Sequence, residues 1–310
     1  MRQSVNIQKN QTPNIIAVVV TYNRKDILRK SLDCILRQKN CLCDIMVVDN
    51  NSIDGTRDMV KKDFDNPHII YHNTGTNLGG AGGFQQGIKK AVLAGYKYIW
   101  IMDDDTWPEE DALYELINAH KKLNGQWGFL SSVAYWTDGN ICEMNIQKRG
   151  IFKHIDREYK ANISPIKMCS YVSLLIKAEI IMEVGLPIGE YFIWTDDYEY
   201  TGRISKKYPC YMVTESRVIH AMKNNARVDF VKDTPNRIER YKYIYRNDVH
   251  CYRQYGLRGW IYLILKDLYT CMRLLIYCKD SKWERIRTVW AGFCAGLFFY
   301  PSIEMIERQQ

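Results

Sequence analysis

Short β-branched segments alternate with amphipathic segments in the first 123 residues, and this alternation constrains the fold more than any other feature. Four buried strands are predicted, at Ile15–Val20, Ile45–Val48, Ile69–His72 and Tyr98–Met102. They are short apolar runs bounded by turn residues, whereas the segments between them carry apolar residues at helical spacing. Strands that alternate with helices indicate a mostly parallel, doubly wound α/β sheet, in which ligands bind beyond the carboxyl ends of the strands.

The connecting helices have start signals of their own. Asp26 is expected to cap the first helix, and Asp54–Thr56 leads into the second. A third helix is predicted at Phe84–Ala94, and Pro108 marks the start of a fourth. In the less regular middle of the chain, Cys169–Ile176 is predicted to be a strand.

Three of the four strands end in polar or acidic residues, namely Thr21–Asn23, Asp49–Asn50 and Asp103–Asp105. The ligand of a doubly wound sheet binds at this edge, so the agreement predicts a nucleotide site. Thr21 and Asn23 contribute polar groups to it. Asp49 is expected to hydrogen-bond a base or a ribose, and Arg24 is expected to meet a phosphate.

The three adjacent carboxylates at Asp103–Asp105 repel one another, and a divalent cation would stabilise them. Oxygen ligands suit Mg²⁺ or Mn²⁺, which commonly bridge carboxylates and substrate phosphates. Because side chains alternate along an extended segment, Asp103 and Asp105 face the same way. Asp105 is the preferred metal ligand, Asp103 meets the ribose or the metal, and Asp104 lies in the nucleotide site. His220 is a candidate third ligand, and an acidic turn that caps the next helix is the alternative.

A glycine-rich segment follows the third strand at Asn77–Gly83. Its backbone is expected to approach a sugar or a pyrophosphate through Asn77, Gly79 and Gly80. The segment lacks the Gly-Lys-Ser/Thr of a P-loop and the Gly-x-Gly-x-x-Gly of a dinucleotide site. A plain flexible turn explains it equally well.

A second acidic cluster contains Asp196, Asp197 and Glu199, together with Arg203. A carboxylate beside another carboxylate has a raised pKa, which suits a general base, and Asp197 is the candidate. Asp196, Glu199 and the preceding Trp194 are expected to bind an acceptor, and Arg203 to orient the carboxylates. The alternative is a helix start stabilised by salt bridges.

The net charge of +8 is concentrated at the C-terminal end of the chain. From Met222 onward there are 16 Lys and Arg against 9 Asp and Glu, in segments that mix aromatic and apolar residues. We therefore expect an α/β domain over residues 1–225 and basic amphipathic helices over residues 226–310. Such helices suit an anionic membrane interface or a partner subunit, and a basic nucleic-acid-binding module is the alternative from another class.

Membrane spans and secretion are not indicated by the sequence. The uncharged and largely apolar run Thr288–Ile303 has 16 residues, fewer than the roughly 20 that a spanning helix needs. Met1–Pro13 is polar and lacks a secretory signal, so a cytoplasmic location is expected, with the ten cysteines as free thiols. The isolated Cys41-x-Cys43 pair does not predict zinc.

Several motifs occur in the order found in one enzyme family: Val18–Arg24, Val47–Thr56, Asp103–Asp105, and Asp-Asp-x-Glu-x-x-x-Arg at 196–203. Together they resemble the family-2 glycosyltransferases of GT-A fold, over about two-thirds of the chain. A polymerising synthase is expected to contain a Gln-x-x-Arg-Trp motif, and this sequence lacks it. Thr21–Arg24 replaces the glycine-rich loop that a sugar-nucleotide nucleotidyltransferase needs after its first strand.

Within that family the segments Asn77–Phe84, Trp100–Asp105 and Trp194–Tyr200 are most similar to bacterial galactofuranosyltransferases. The resemblance implies an inverting transfer from UDP-galactofuranose with Mn²⁺ or Mg²⁺, with Asp197 as base and Asp103, Asp105 and His220 around metal and nucleotide. It also implies a glycan or lipid-linked acceptor, peripheral contact with the inner face of the cell membrane, and cell-surface polysaccharide synthesis. Packing against a second subunit in a homo-oligomer would explain the C-terminal helices equally well. Thr195 departs from the pattern, since it separates Trp194 from the Asp pair, and rhamnosyltransferases using dTDP-rhamnose share much of this scaffold.

Overall fold

A nine-stranded mixed sheet organises the computed structural model, which describes residues 14–151, 153–155, 159 and 161–307. The sheet order is β3-β2-β1-β4-β10-β6-β11-β5, and β9 pairs with β11. A small two-stranded sheet pairs β7 with β8. The strands are β1 Ile15–Thr21, β2 Asp44–Asp49, β3 Ile69–Asn73, β4 Tyr98–Asp103, β5 Thr106–Pro108, β6 Phe129–Tyr135, β7 Lys148–Gly150, β8 Lys153–His154, β9 Ile163–Ile166, β10 Leu174–Lys177 and β11 Cys210–His220.

Helices cover both faces of the sheet and form the C-terminal part of the chain. They are α1 Lys25–Leu36, α2 Thr56–Asp63, α3 Gly79–Leu93, α4 Ala112–Lys122, α5 Ala178–Val184, α6 Asp196–Ser205, α7 Tyr241–Arg253, α8 Gly256–Tyr277 and α9 Lys282–Leu297. Leu32 of α1 and Leu116 of α4 are buried in one core, whereas Phe84 and Ile88 of α3 are buried in the other. This is the three-layer arrangement that the alternating sequence predicts.

The four predicted strands of the N-terminal half are parallel neighbours. β1 lies between β2 and β4, with Thr21 in register with Asp49 and Val20 in register with Asp103. β1 and β2 are buried along their whole length, as expected for short runs rich in Val and Ile in a parallel sheet. The polar strand ends therefore meet at one edge of the sheet.

The other half of the sheet is mixed. β10 is antiparallel to both β4 and β6, whereas β11 is parallel to β6 and antiparallel to β5. The β5–β11 pairing places His220 opposite Thr106. It thereby brings the end of β11 beside the acidic strand end, 115 positions earlier in the sequence.

Four of the sequence-based boundaries were wrong. The glycine-rich segment is not a loop, because α3 begins at Gly79 and the glycines form its first turns. Pro108 ends β5, and α4 begins only at Ala112. Arg24, not Asp26, precedes α1, where Asp54 Oδ2 accepts a hydrogen bond from the Lys25 amide at 2.9 Å. The predicted strand at 169–176 is shorter and shifted, to Leu174–Lys177.

The C-terminal helices pack closely on one another and on the sheet domain. α7 and α9 approach so closely that a Cβ on Gly292 or Gly296 would lie 2.6 Å from the Cβ atom of Tyr245 or Val249. Arg285 of α9 is fully buried and donates hydrogen bonds to the carbonyl groups of Phe230 and Asp233. Among the described residues, every helix is too short or too polar to cross a bilayer.

Candidate active site

A cavity of about 610 Å³ lies between the acidic edge of the sheet and the C-terminal helices, and we call it the main cavity. Asp103, Asp105 and His220 line it from the strand ends. The segment Trp194–Tyr198 lines it from the start of α6. Tyr262 and Lys266 of α8 complete the wall, so residues far apart in the sequence share one space.

Asp103, Asp105 and His220 form a compact group, which we call the acidic triad. One ligand atom from each side chain lies within 4.8 Å of the other two. Asp103 ends β4 and Asp105 lies in the turn before β5, and both side chains face the main cavity. Two carboxylates and one imidazole are donors that suit Mn²⁺ or Mg²⁺ beside phosphate oxygens.

The orientation of His220 favours metal binding through Nε2. Its Nδ1 lies 2.7 Å from Asn145 Oδ1, an oxygen that only accepts, so Nδ1 carries the hydrogen of this contact. Nε2 then faces Asp105, whose Oδ1 is 3.1 Å away. Histidine ligands of metals are commonly held by such a second contact on the other ring nitrogen.

The surroundings of Asp105 indicate whether a cation fits at the acidic triad. Its Oδ1 is buried and, despite its proximity to His220, lacks a hydrogen bond of good geometry to any described residue. Burial alone would lower the pKa of His220, but Asp105 and its neighbours raise it to about 10. The triad thus holds one positive charge as a proton on His220, and a divalent cation would replace that proton.

Arg24 forms ion pairs with the neighbouring carboxylates. Its two terminal nitrogens donate to Asp104 Oδ1 and Asp105 Oδ2, each at 2.8 Å. Thr21 Oγ1 donates to Asp104 Oδ2 at 2.7 Å. Asp104 and Thr21 are therefore turned away from the main cavity and fix the strand end, whereas Arg24 also lines the cavity. Burial raises the pKa of Asp103 to about 6 and that of Asp104 to about 7.

Asp196 and Asp197 begin helix α6 and face the main cavity. Burial raises the pKa of Asp196 well above its ordinary value, and the charge of Asp197 adds to the effect. Burial raises the pKa of Asp197 to about 7, although the Tyr198 amide donates to its Oδ1 at 2.7 Å. A pKa near neutrality suits a general base, and this favours Asp197 for that role.

The segment before Asp196 has an unusual backbone that helix α7 holds in place. Phe192, Trp194 and Thr195 all have φ between 64° and 67°, which is unfavourable for residues other than glycine. Asn247 Nδ2 donates to the carbonyl groups of Tyr191, Ile193 and Trp194 at 2.9–3.0 Å. Thr195 Oγ1 donates to Asp248 Oδ1 at 2.8 Å. The C-terminal helices thus determine where Asp197 lies.

Glu199 and Arg203 pair with each other and lie outside the main cavity. Arg203 Nε and one terminal nitrogen donate to the two carboxylate oxygens of Glu199, each at 3.0 Å. Its guanidinium also donates to the carbonyl groups of Val184 and Leu186. Neither residue lines the main cavity, because this pair fixes α6 against α5; the salt-bridged alternative describes it.

The remaining predicted nucleotide-binding residues lie around the ends of β1, β2 and α3. Asp49 is buried and accepts hydrogen bonds from the Ser52 amide and the Tyr71 hydroxyl. Tyr71 lines a separate cavity of about 510 Å³. Asn23 Oδ1 accepts from the Ile53 amide at 2.8 Å, on the surface.

The residues of the glycine-rich segment have different structural roles. Asn77 Oδ1 accepts from the Gly79 amide at 2.9 Å. A Cβ on Gly79 would lie 2.1 Å from the Phe192 carbonyl oxygen, so Gly79 allows α3 to contact the segment before Asp196. Gly80 has open space around its Cβ position and lines the main cavity, where the predicted approach to a sugar or pyrophosphate remains available.

Sequence reasoning missed five residues that shape the site: Asn145, Lys148, Asn247, Asp248 and Lys266. These residues lie in three separate segments of the sequence and form no motif. The one available signal was Thr195, the departure from the family pattern, because its hydroxyl required a partner once buried.

Known proteins resemble this chain in sequence. The family model for glycosyl transferase family 2 matches residues 16–171. The galactofuranosyltransferase GlfT1 of Mycolicibacterium smegmatis is 25% identical over 200 residues, which cover 62% of this chain and 66% of the relative. The chain thus spans just under two-thirds of the length of that relative.

Two solved structures share the fold at low sequence identity. The mannosyltransferase PcManGT from Pyrobaculum calidifontis, in complex with GDP-Man and Mn²⁺, is 15% identical, with a TM-score of 0.55 over 93% of this chain and 76% of that one. GalNAc-T7 with UDP, GalNAc and Mn²⁺ is 14% identical, with a TM-score of 0.60 over 90% of this chain and 54% of that one.

The sheet order, the acidic triad and these similarities define a glycosyltransferase of GT-A fold. The chain belongs to glycosyl transferase family 2. It is therefore an enzyme of the glycosyltransferase class, and its fold and its family agree with the sequence-based prediction.

Proposed function

We propose that the protein is a metal-dependent, inverting glycosyltransferase that transfers galactofuranose from UDP-galactofuranose to a glycan or lipid-linked acceptor in cell-surface polysaccharide synthesis. One observation carries the proposal: the acidic triad and the candidate base Asp197 line the same cavity. A single base beside a bound donor is what direct displacement with inversion requires. The similarity to a galactofuranosyltransferase supports the choice of sugar.

In the proposed mechanism, Asp105, His220 and Asp103 hold a divalent cation. When bound, this ion stabilises negative charge on the departing nucleoside diphosphate. Asp197 accepts the proton of the acceptor hydroxyl as its oxygen attacks the anomeric carbon, and the donor carbon–oxygen bond breaks. Asp196 hydrogen-bonds the acceptor, and Trp194 offers it an apolar surface.

Donor hydrolysis or transfer tests the sugar. The purified protein is incubated with Mn²⁺ and, separately, UDP-galactofuranose, UDP-galactopyranose, UDP-glucose or dTDP-rhamnose, and nucleotide release is followed. Release from UDP-galactofuranose alone is expected. Release from dTDP-rhamnose alone would replace the donor by the rhamnosyltransferase alternative and leave the fold and the base unchanged.

The C-terminal helices support a proposed contact with an anionic membrane surface. Ten apolar or aromatic side chains of α8 are 45–76% exposed, among them Ile261, Leu265 and Ile276. Asp267, the single acidic residue of α8, is buried, whereas Arg258 of the same helix is exposed, so the charge that α8 presents to solvent is positive. An apolar face with basic neighbours matches an anionic lipid interface, whereas a second copy would bring like charges together.

Vesicle sedimentation tests this contact. We expect the protein to bind phosphatidylglycerol-containing vesicles in a salt-dependent manner and to bind RNA weakly. The triple variant Ile261→Gln, Leu265→Gln and Ile276→Gln should lose vesicle binding. The control variant Leu42→Gln with Ile53→Gln changes exposed apolar residues elsewhere on the surface and should retain it. Equal binding by both variants would contradict the proposed surface, and tight RNA binding would favour the nucleic-acid alternative.

A further inference from the structure

Two lysines meet in the part of the main cavity wall that β7 and α8 provide. Lys148 of β7 and Lys266 of α8 both line the cavity, together with Asp197. Neither belongs to a motif of the family pattern given above. We propose that Lys148 and Lys266 form a cationic subsite that binds a phosphate group carried by the acceptor.

The backbone of Lys148 is fixed in β7, and the positive charge of its side chain is only partly neutralised. Its backbone amide donates to the Met168 carbonyl at 2.8 Å, which fixes the strand. Its Nζ lies 3.8 Å from the centroid of the Tyr198 ring, so the ammonium stands beside Asp197. Within the part of the chain that the structure describes, Lys148 forms no ion pair within 4 Å.

Lys266 contributes a second positive charge to the same space. Its Nζ pairs with Asp248 Oδ2, while Asp248 Oδ1 accepts the hydrogen bond from Thr195. Burial lowers the pKa of Lys148, and the charge of Lys266 lowers it further, so the two ammonium groups repel each other. Asp197 opposes this effect while it is ionised, but it becomes neutral when it accepts the acceptor proton.

A bound anion would offset the repulsion between the ammonium groups of Lys148 and Lys266. Phosphate suits the site because it carries up to two negative charges, and a lysine ammonium binds it as a point charge with three donors. The donor diphosphate is an unsuitable occupant, since the acidic triad lies elsewhere on the cavity wall and is the place for its metal. The phosphate therefore belongs to the acceptor, as a lipid phosphate headgroup or as a phosphate on the glycan.

Calorimetric titration with two probes tests the subsite. Inorganic phosphate and geranyl phosphate are each titrated into the full chain saturated with UDP and Mg²⁺, so that the donor site is filled. Both probes should bind, and Lys148→Met should weaken binding by about tenfold or more, because it removes a buried charge but keeps the side-chain length. Lys148→Arg, which keeps the charge, should retain binding.

The outcomes separate the two sources of phosphate. Tighter binding of geranyl phosphate would support a lipid headgroup, and equal binding of both probes would support a phosphate on the glycan. Absence of probe binding to the wild-type chain would overturn the subsite. So would equal binding by Lys148→Met, even with a shifted pH profile, since Lys148 would then act only on Asp197.

The phosphate subsite rests on the proposed function, but different measurements would contradict each of them. If UDP with Mg²⁺ does not bind, the proposed donor chemistry fails, and the effect of Lys148→Met is then measured with phosphate on the free protein. Conversely, Asp105→Asn should weaken UDP–Mg²⁺ binding and leave phosphate binding unchanged. Loss of both ligands in Lys148→Met, with an unchanged melting temperature, would contradict an acceptor-side subsite.

Discussion

The two sides of the main cavity are built in different ways. The acidic side consists of strand ends, where three consecutive residues and one histidine of a neighbouring strand come together by sheet register. The other side is assembled from α6, α7, α8 and β7, whose residues Asp197, Asn247, Lys266 and Lys148 lie far apart in the sequence. Sheet pairing fixes the first side, whereas side-chain hydrogen bonds fix the second.

The difference has a consequence for catalysis. A strand end in a buried sheet is rigid, so the acidic side holds its carboxylates before any ligand arrives. On the other side, three residues with positive φ depend on Asn247 and Asp248 of another helix. We therefore expect substitutions on the acidic side to abolish metal and donor binding, and substitutions on the helical side to change turnover.

The largest expected effect is that of Asp197→Asn. The amide keeps the size of the side chain but accepts no proton, so kcat should fall by about 10³-fold, in the range for loss of a general base. UDP–Mn²⁺ binding should be unchanged, because the acidic triad is intact. Turnover within tenfold of the wild type would place the base elsewhere on the cavity wall.

The pH dependence of kcat/KM is the next largest effect. Burial raises the pKa of Asp197 to about 7, and the base acts only when it is deprotonated. At saturating metal the rate should therefore rise about tenfold per pH unit up to pH 7 and then level off. A rate that is constant between pH 5 and 7 would show that the acting base has an ordinary carboxylate pKa.

Asn247→Ala tests whether α7 positions the base. The substitution removes one hydrogen-bond donor from each of three carbonyl groups and should lower stability by about 1–3 kcal/mol. It should also lower kcat by roughly tenfold, since the strained segment can relax away from the productive geometry. Asn236→Ala, on the surface, serves as the control and should change neither quantity. A stability loss with unchanged kcat would mean that this contact only holds the fold.

The smallest effect is expected from the glycine pair at the start of α3. Gly80→Ala should leave the melting temperature unchanged and raise the donor KM a few-fold, because its methyl group would point into open cavity. Gly79→Ala is the matched contrast: its methyl group would clash with the Phe192 carbonyl, and φ is 71°, so the melting temperature should fall. Equal melting temperatures for the two variants would contradict the packing of α3 against the Phe192 segment.

The sequence predicted the strands and the acidic side because local patterns encode them. Buried β-branched runs marked β1 and β2, and the run of three carboxylates at the end of β4 marked the acidic side. The start of α3 was missed because glycine has low helix propensity, yet the close contact of Gly79 with Phe192 requires it.

The helical side could not be predicted to the same extent. Glu199 and Arg203 pair locally within α6, but the hydrogen bonds of Arg203 to the end of α5 depend on tertiary packing, which the pattern does not give. Asn247 and Asp248 act through tertiary contacts with residues more than 50 positions away. Such contacts follow only from the packing of α7 against the sheet domain.

The most direct test of the central claim is metal-dependent UDP release by the wild-type enzyme and by Asp105→Asn. The account predicts that release from UDP-galactofuranose requires Mn²⁺ or Mg²⁺, stops on addition of a chelator, and is lost in Asp105→Asn while the fold remains intact. Release that persists with the chelator, or in Asp105→Asn, would contradict a metal centre at the acidic triad.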